Sequence, residues 1–502
     1  MQRRLEPSDL GLEALSGVEQ LLAEGGDQRI LLDPASGLNR YQCAPRPDPE
    51  LAAFGSSTAS TISAVSFAAA QSLAERIGEE LERRPAAAVY ERRIEALRIE
   101  LLRLCGLEAR RGLEVLLAPS GTDLHLFVAH LISAPGRPAL AIIGEPAETG
   151  SGVPVALAGG VAPVAEVVSV AARAADGGLR NEASVDAEVE ALVLRAVAEL
   201  RRVLIVVTDV SKTGLISPSL AGARELARRF PGWVDVLVDA CQMRLSPRTL
   251  SAYADLGWMI AVTGSKFLTG PAFSGALFIP RKLADRLKRR RLPKDLRALS
   301  VRADWPSGWA AGEGLEEAPN FGLLVRWEAA MAELRAFREV PDDQARAFLG
   351  KFEQTTLAAL AADPALEPLA GRRPLRDPLP PGGWDQAPSI FPFLLKSSGR
   401  RLTPEQTQRV YALLRQDLSG HARAGNAPVV QMAAGLRVEL GQPVACGVRG
   451  GAPVAALRMC ASARLITEAC SSASAAEAIL LRVKLALAKA SWLAADVADG
   501  RL

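Results

Sequence analysis

A lysine and an acid follow two apolar stretches in the middle of the chain. Asp239 ends the run VDVLV, which starts at Val234, and Lys266 comes shortly after the run WMIAV. Short, continuous, β-branched runs are typical of strands buried on both faces of a parallel sheet. Open α/β sheets bind ligands at the carboxyl ends of their strands. We therefore expect the two side chains to lie together in a site.

The chemistry of these two side chains fits pyridoxal phosphate (PLP). A lysine forms an imine with the cofactor aldehyde, and burial near other cations lowers a lysine pKa from about 10.4 so that it can act as nucleophile and base. An acid keeps the pyridine nitrogen protonated, and the protonated ring draws electrons from the substrate carbon. Taken alone, each residue is better explained as a surface lysine or a helix-capping aspartate. Only their joint pattern favours the cofactor.

Three segments resemble, in their order, the motifs of fold-type I PLP-dependent enzymes. They are SKTG (Ser211 to Gly214), VDACQ (Val238 to Gln242) and TGSKFLTGP (Thr263 to Pro271). The chain is most similar to the class V aminotransferase and cysteine desulfurase group, whose segments read NETG, VDAAQ and SxHKxxGP. The resemblance covers residues 116–320 and, more weakly, the region of Arg458. Three motifs in the family order are a specific signal, whereas one alone is not.

The resemblance implies a role for each matched residue. Lys266 would carry the Schiff base and transfer the proton, and Asp239 would hold the ring protonated. The other contacts to the phosphate and the ring would come from Gly121, Thr122, Thr149, Ser211, Gln242, Thr263 and Ser265. The substrate side would be formed by Arg40, Tyr41 and Arg458, with Arg458 binding the α-carboxylate. A structural ion pair is the alternative for Arg458, because a lone cation in an apolar strand is costly unless paired.

The segment APSGTD, which follows the apolar run LEVLL, could bind an anion. Gly121 lets the backbone turn tightly, and free N–H groups at a helix start face an anion together with the positive end of the helix dipole. The same residues also read as a helix cap with an acid in the first turn. The two interpretations are compatible.

Several positions depart from the family. The loop GEPAETGSG has Glu148 and Thr149 where the family places an aromatic or histidine side chain over the ring. Ser211 is shorter than the family asparagine, and Ala318 replaces a threonine that reaches the neighbouring subunit's phosphate. The histidine and the mobile-loop cysteine of cysteine desulfurases are both missing. We therefore expect a different substrate chemistry, and no enzyme-bound persulfide.

The composition limits which other classes of protein fit this sequence. The 502 residues, 49% hydrophobic and 23% charged, predict a soluble protein of two packed domains. A net charge of +3 does not favour nucleic-acid binding, and the basic run Arg281 to Arg297 fits a solvated helix or a subunit contact. Six scattered cysteines and three histidines suggest neither disulfides nor a metal site. No membrane span or signal-peptide core is found, so we expect a cytoplasmic protein.

The N-terminal third reads as mainly helical. Residues 1–30 predict an amphipathic arm, and residues 64–104 predict a long helical segment. Before that segment lies the hydroxyl-rich stretch FGSSTASTIS, in which Ser57 is a weak candidate for substrate contact. Ser57 and Thr58 are interpreted instead as the helix N-cap.

We expect an α/β fold of fold type I, with a mostly parallel seven-stranded sheet in a large domain and a smaller C-terminal α+β domain. The expected boundaries are 1–105 for the arm and helical segment, 106–335 for the PLP-binding domain and 336–502 for the small domain. The resemblance implies a homodimer that acts on an amino acid or amine, with an aminotransferase-like reaction in bacterial metabolism favoured. A carbon–sulfur lyase, or another enzyme of elimination or carbon–carbon bond formation, is the alternative. A catalytically silent PLP-binding protein is the alternative of another class.

Overall fold

A computed structural model describes residues 17–133, 138–159, 165–422 and 427–502. Its strands are β1 (Leu51–Phe54), β2 (Glu114–Ala118), β3 (Ala139–Gly144), β4 (Ala165–Val170), β5 (Val203–Asp209), β6 (Ile216–Ser217), β7 (Val234–Ala240), β8 (Met259–Thr263), β9 (Gly275–Ile279), β10 (Leu366–Pro368), β11 (Ile390–Ser397), β12 (Arg400–Arg401), β13 (Arg437–Arg449) and β14 (Ala452–Cys460). Its α-helices are α1 (Val18–Ala23), α2 (Ala64–Leu81), α3 (Ala86–Leu104), α4 (Gly121–Ile132), α5 (Val153–Ala158), α6 (Glu182–Ala198), α7 (Leu220–Arg229), α8 (Pro247–Asp255), α9 (Arg281–Leu287), α10 (Lys294–Arg297), α11 (Phe321–Arg338), α12 (Asp342–Ala362), α13 (Pro404–Leu414), α14 (Pro428–Ala434), α15 (Ala463–Ser471) and α16 (Ala473–Ala498).

The larger sheet has the strand order β2–β9–β8–β7–β5–β3–β4, and the two-residue β6 pairs with β5. Its pairs are parallel except those of β9 and of β6, which are antiparallel. The expected seven-stranded, mostly parallel sheet is therefore confirmed, with β6 as a short addition.

Both faces of this sheet are covered. In β7 the residues Val236 and Val238 belong to one apolar core, whereas Leu237 between them belongs to the core on the opposite face. Every residue of β7 is buried. Continuous apolar strands are stable in this position because helices cover both faces of a parallel sheet.

A second sheet joins the start of the described chain to its end. It has the order β1–β13–β14–β11–β10, with β12 paired to β11. The strand β1 runs parallel to β13, with Leu51 opposite Arg437. The strand β1, which precedes the expected N-terminal helical segment, thus adds a strand to the sheet formed by the C-terminal part of the chain. The residue boundaries of the three expected domains remain a prediction.

The expected continuous helix at residues 64–104 is two helices. Pro85 is the N-cap of α3, and a proline disfavours helical geometry in the residue before it, so α2 ends upstream. The interpretation of Ser57 and Thr58 as the helix cap was wrong, since the N-cap of α2 is Ser63, whose side chain accepts from the Ser66 N–H at 3.0 Å.

Of the expected N-terminal arm, residues 1–16 lie outside the described residues, and the helix in the rest is the short α1. Across the ranges described above, no helix is both long and apolar enough to span a bilayer.

Candidate active site

Three strand ends converge at one edge of the larger sheet. Asp239 lies near the end of β7, Lys266 follows β8, and α4 starts after β2. A Cβ added to Gly121 would lie 2.6 Å from the Cys241 sulfur and 3.4 Å from a Thr263 methyl. Glycine at the start of α4 therefore permits a close approach to the ends of β7 and β8. Asp239, Lys266 and the start of α4 thus lie at the same edge of the sheet, and their roles in a site stay a prediction.

The carboxylate of Asp239 is buried and has a cationic partner. Its Oδ2 lies 3.5 Å from His125 Nε2, and its Oδ1 accepts from the Cys241 N–H at 3.2 Å. Burial raises the pKa of Asp239, but the positive charges of His125 and Lys266 outweigh burial and hold that pKa well below its usual range. Asp239 therefore stays ionised at neutral pH.

His125 was missed by the sequence analysis. It is fully buried on α4, and its Nδ1 lies 2.7 Å from the Gly121 carbonyl oxygen. Burial lowers its pKa, but Asp239 raises the pKa more, so the ring is more basic than an ordinary histidine. The available signal was a histidine among the apolar residues of a helix that begins at a candidate anion site.

Gln242 and the hydroxyls around Lys266 are already hydrogen-bonded within the chain. Gln242 Nε2 donates to the Ser57 carbonyl at 3.0 Å. Thr263 Oγ1 donates to the Cys241 carbonyl at 2.6 Å, and Ser265 Oγ donates to Thr263 Oγ1 at 3.4 Å. These bonds fix three predicted cofactor contacts beside Lys266. They also bring Ser57 into the site.

The start of α4 is a capping box, as one interpretation of the sequence held. Ser120 Oγ accepts from the Asp123 N–H at 3.2 Å, and the Asp123 carboxylate accepts from the Ser120 N–H at 3.0 Å. The box uses neither the N–H of Gly121 nor that of Thr122. An added Cβ on Gly152 would lie 3.3 Å from a Thr122 methyl, so the loop after β3 closes over the helix start.

The predicted ring contacts Ser211 and Thr149 lie around the buried Glu148. Glu148 accepts from Ser211 Oγ at 2.7 Å and from the Thr213 N–H at 3.1 Å. It also forms an ion pair with Arg173 at 3.0 Å. Thr149 Oγ1 donates to the Glu145 carbonyl at 3.4 Å. The loop after β3 is therefore fixed to the loop after β5 by one satisfied carboxylate.

Arg458 has unused hydrogen-bonding capacity. It lies in β14 with 1% of its surface exposed, and its Nη2 donates to Thr58 Oγ1 at 2.7 Å and to the Gln442 carbonyl. Its Nε and Nη1 have no hydrogen-bond partner among the described residues, where no carboxylate pairs with it either. A structural ion pair is thus not what the described residues show. The free N–H groups on Nε and Nη1 can each donate to a carboxylate, whereas a bidentate pair would also need Nη2, which already donates to Thr58 and Gln442.

The other two predicted substrate contacts lie near the connection that follows Lys266. Tyr41 packs against Ile30, Ala272 and Phe273. Arg40 is exposed. Neither shows a contact to Arg458, and their substrate role stays a prediction.

A second lysine, Lys212, was also missed. It is half-buried in the loop after β5, and its Nζ donates to the Pro146 carbonyl at 3.3 Å. Burial, followed by the charges of Arg458 and Lys266, lowers its pKa to about 8. The sequence signal was the lysine in SKTG, at the place of the family glutamate.

Neither a family model nor a curated protein sequence matches this chain. Solved structures do match over most of its length. The cystine C-S lyase C-DES, in complex with cysteine persulfide, is 16% identical over 87% of this chain and 98% of its own, with a TM-score of 0.53. The cysteine desulfurase CsdA from Escherichia coli is 16% identical over 87% and 95%, with a TM-score of 0.51. A serine palmitoyltransferase with a PLP internal aldimine is 13% identical over 90% and 88%, with a TM-score of 0.50.

Similarity at these levels of identity concerns the fold. The chain has the fold of fold-type I PLP-dependent enzymes, as the sequence motifs predicted.

Proposed function

We propose that this chain is a PLP-dependent enzyme that transforms an amino acid. The observation that supports this most is the meeting of Lys266, ionised Asp239 and the start of α4 at one sheet edge, in a fold shared with a PLP-containing structure. The residues fit the cofactor, because the capping box at the start of α4 leaves the N–H groups of Gly121 and Thr122 for a phosphate. Two unpartnered nitrogens of Arg458 provide a place for a substrate carboxylate.

In this proposal each residue has a defined task. Asp239 would keep the ring nitrogen protonated, and Gln242 would contact the ring hydroxyl. The phosphate-binding residues would be at the helix start and beside Lys266, namely Gly121, Thr122, Thr263 and Ser265. Thr149 and Ser211 would contact the ring. When bound, PLP supplies a ring that withdraws electrons from the substrate α-carbon. Lys266 then moves a proton at that carbon while Arg458 fixes the carboxylate.

Among the possible reactions we favour an aminotransferase-like one, with a carbon–sulfur lyase as the second candidate. Persulfide formation requires an accessible thiolate. Five of the six cysteines are buried and Cys470 is half-buried, and burial raises the pKa of Cys446 to about 11. Sulfur released from cysteine should therefore appear as free sulfide. The free guanidinium nitrogens of Arg458 argue against the silent PLP-binding alternative, since they suit a substrate.

The test loads the protein with PLP and follows its absorption spectrum during incubation with single amino acids. An aminotransferase converts the cofactor to its aminated form and releases one oxo acid per site without a second substrate. A lyase releases sulfide or another leaving group over many cycles. Lys266→Ala is the matched control and should do neither. A wild-type protein that takes up no PLP would contradict the proposal.

We also propose that the protein is a homodimer, as the resemblance implies. Light scattering of the loaded protein should give twice the chain mass, and a monomer that is fully active would overturn this.

A further inference from the structure

Lys212, which is half-buried, and Arg458, which is buried, are among the cations at the candidate site that lack carboxylate partners. Lys212 donates to a carbonyl, and Arg458 donates to a hydroxyl and a carbonyl. Within the described ranges, no carboxylate lies at ion-pair distance from either side chain. Cations removed from water without an acidic partner are costly, and an anion bound beside both side chains would offset that cost.

The packing of the loop after β5 brings Lys212 toward the strand that carries Arg458. Val210 packs against Ile390 and Cys460, and Cys460 is two residues beyond Arg458 in β14. On the other side of Lys212, Thr213 donates its N–H to Glu148 at 3.1 Å, and the Lys212 N–H donates to the Glu148 carbonyl at 2.9 Å. Contacts on both sides of Lys212 in the chain therefore fix the position of this loop.

The acidic side chains near Lys212 already have cationic neighbours. Glu148 is paired with Arg173, and Asp239 lies beside His125 and Lys266. Burial and the charges of Arg458 and Lys266 lower the pKa of Lys212, and these influences outweigh the opposite influence of Glu148 and Asp239. The side of the site that faces Lys212 thus has an excess of positive charge.

We propose that Lys212 and Arg458 together select an amino acid with a second acidic group. The inference rests on the proposed function: Arg458 binds the α-carboxylate, and Lys212 binds the acidic group of the substrate side chain. A lysine ammonium on a flexible stem suits this task because it acts as a point charge and adapts to the position of the acid. The substrate class is therefore an amino dicarboxylic acid.

The first test is a calorimetric titration of the PLP-loaded protein with glutarate and with butyrate. Both compounds lack the amino group and therefore cannot react. Glutarate should bind about tenfold more tightly, a difference of about 1.4 kcal/mol. Lys212→Gln should reduce glutarate affinity to that of butyrate and leave butyrate binding unchanged, whereas Lys212→Arg should keep the preference. The exposed Lys282 on α9 supplies the control variant Lys282→Gln, which should behave as wild type.

The second readout is proton uptake. At pH 9 the ammonium of Lys212 is mostly deprotonated, because its pKa is about 8. A bound second carboxylate raises that pKa, so glutarate binding takes up a proton. The binding heat then depends on the ionisation enthalpy of the buffer. The dependence should be absent with butyrate and in Lys212→Gln, a difference that a purely structural lysine would not produce.

Equal affinity for glutarate and butyrate would overturn the inference, as would a preference retained in Lys212→Gln. Weaker PLP binding in Lys212→Gln with an unchanged preference would also overturn it, since Lys212 would then serve the cofactor. Failure of the wild type to take up PLP would contradict the proposed function. It would not affect the anion comparison, which can be made on protein without PLP.

Discussion

At the scale of single residues, the site depends on the ionisation of Asp239. His125 and Lys266 hold the pKa of this buried acid well below its usual range, so the carboxylate can keep a ring nitrogen protonated at neutral pH. An amide of the same shape cannot. Asp239→Asn should keep bound PLP and lower turnover by at least about a hundredfold, comparable to the loss of a positioned acid–base group. Steady-state kinetics and the absorption spectrum check this, and near wild-type turnover would show that another acid holds the ring.

The Asp239–His125 pair can be observed directly, because the chain has three histidines. In NMR spectra of histidine-labelled protein, the resonance of His125 should titrate above the ordinary value of about 6.5, since Asp239 raises its pKa. In Asp239→Asn the influence of the carboxylate is lost, and only the hydrogen bond to the Gly121 carbonyl opposes burial and the charge of Lys266, so this pKa should fall. His130 is an internal contrast, because burial already lowers its pKa. A His125 titration that is the same in both proteins would show that the pair does not form.

At the scale of elements, Gly121 couples the start of α4 to the ends of β7 and β8. Gly121→Ala places a methyl 2.6 Å from the Cys241 sulfur, so we expect a loss of about 1–3 kcal/mol of unfolding free energy and weaker PLP binding. Adding Cys241→Ala removes that sulfur and should restore both. Thermal unfolding and PLP titration measure the effect.

The control is Gly350→Ala on α12, where an added Cβ meets nothing within 4 Å. It should stabilise the helix by about 0.5–1 kcal/mol. No rescue in the double variant would mean that Gly121 is required for its backbone alone.

The sequence alone predicted those elements whose signal is a local pattern of residues. The apolar runs ending at Asp239 and near Lys266, and the strand around Arg458, formed where they were expected. The capping box at Ser120 was also one of two stated interpretations. The departures arose where a side chain acts through a partner far away in sequence. Ser57 read as a helix cap, but its carbonyl accepts from Gln242.

The importance of His125 and Lys212 depends on tertiary contacts for the same reason. The charge that makes His125 basic belongs to a strand far along the chain, and the cations that surround Lys212 come from different elements. Local propensity and periodicity do not reveal interactions between residues that are far apart in the sequence. A histidine among the apolar residues of α4 and a lysine at the family's glutamate position were the signs in the sequence.

At the scale of the whole molecule, a buried ion pair joins β5 to the connection before β11. Arg376 Nε lies 2.7 Å from Asp209 Oδ2, and Arg376 Nη2 donates to Asp209 Oδ1 at 2.7 Å. Arg376→Met leaves Asp209 buried without a cation and with the Tyr253 hydroxyl as its remaining side-chain partner among the described residues, so unfolding free energy should fall by about 3–5 kcal/mol. The exposed pair of Arg373 and Glu353 provides the control Arg373→Met, with a loss below about 1 kcal/mol. Denaturant unfolding that shows equal losses would contradict a special role for the buried pair.

The central claim is that Lys266 binds PLP covalently. The most direct measurement is borohydride reduction of the PLP-loaded protein, followed by peptide mass spectrometry. Lys212 serves as an internal competitor, since it is the second lysine at the site and its lowered pKa makes it nucleophilic. We expect the reduced cofactor on Lys266 in the wild type, and no labelled lysine in Lys266→Ala. Label on Lys212 in the wild type, or on no lysine of a protein that has taken up PLP, would contradict the account.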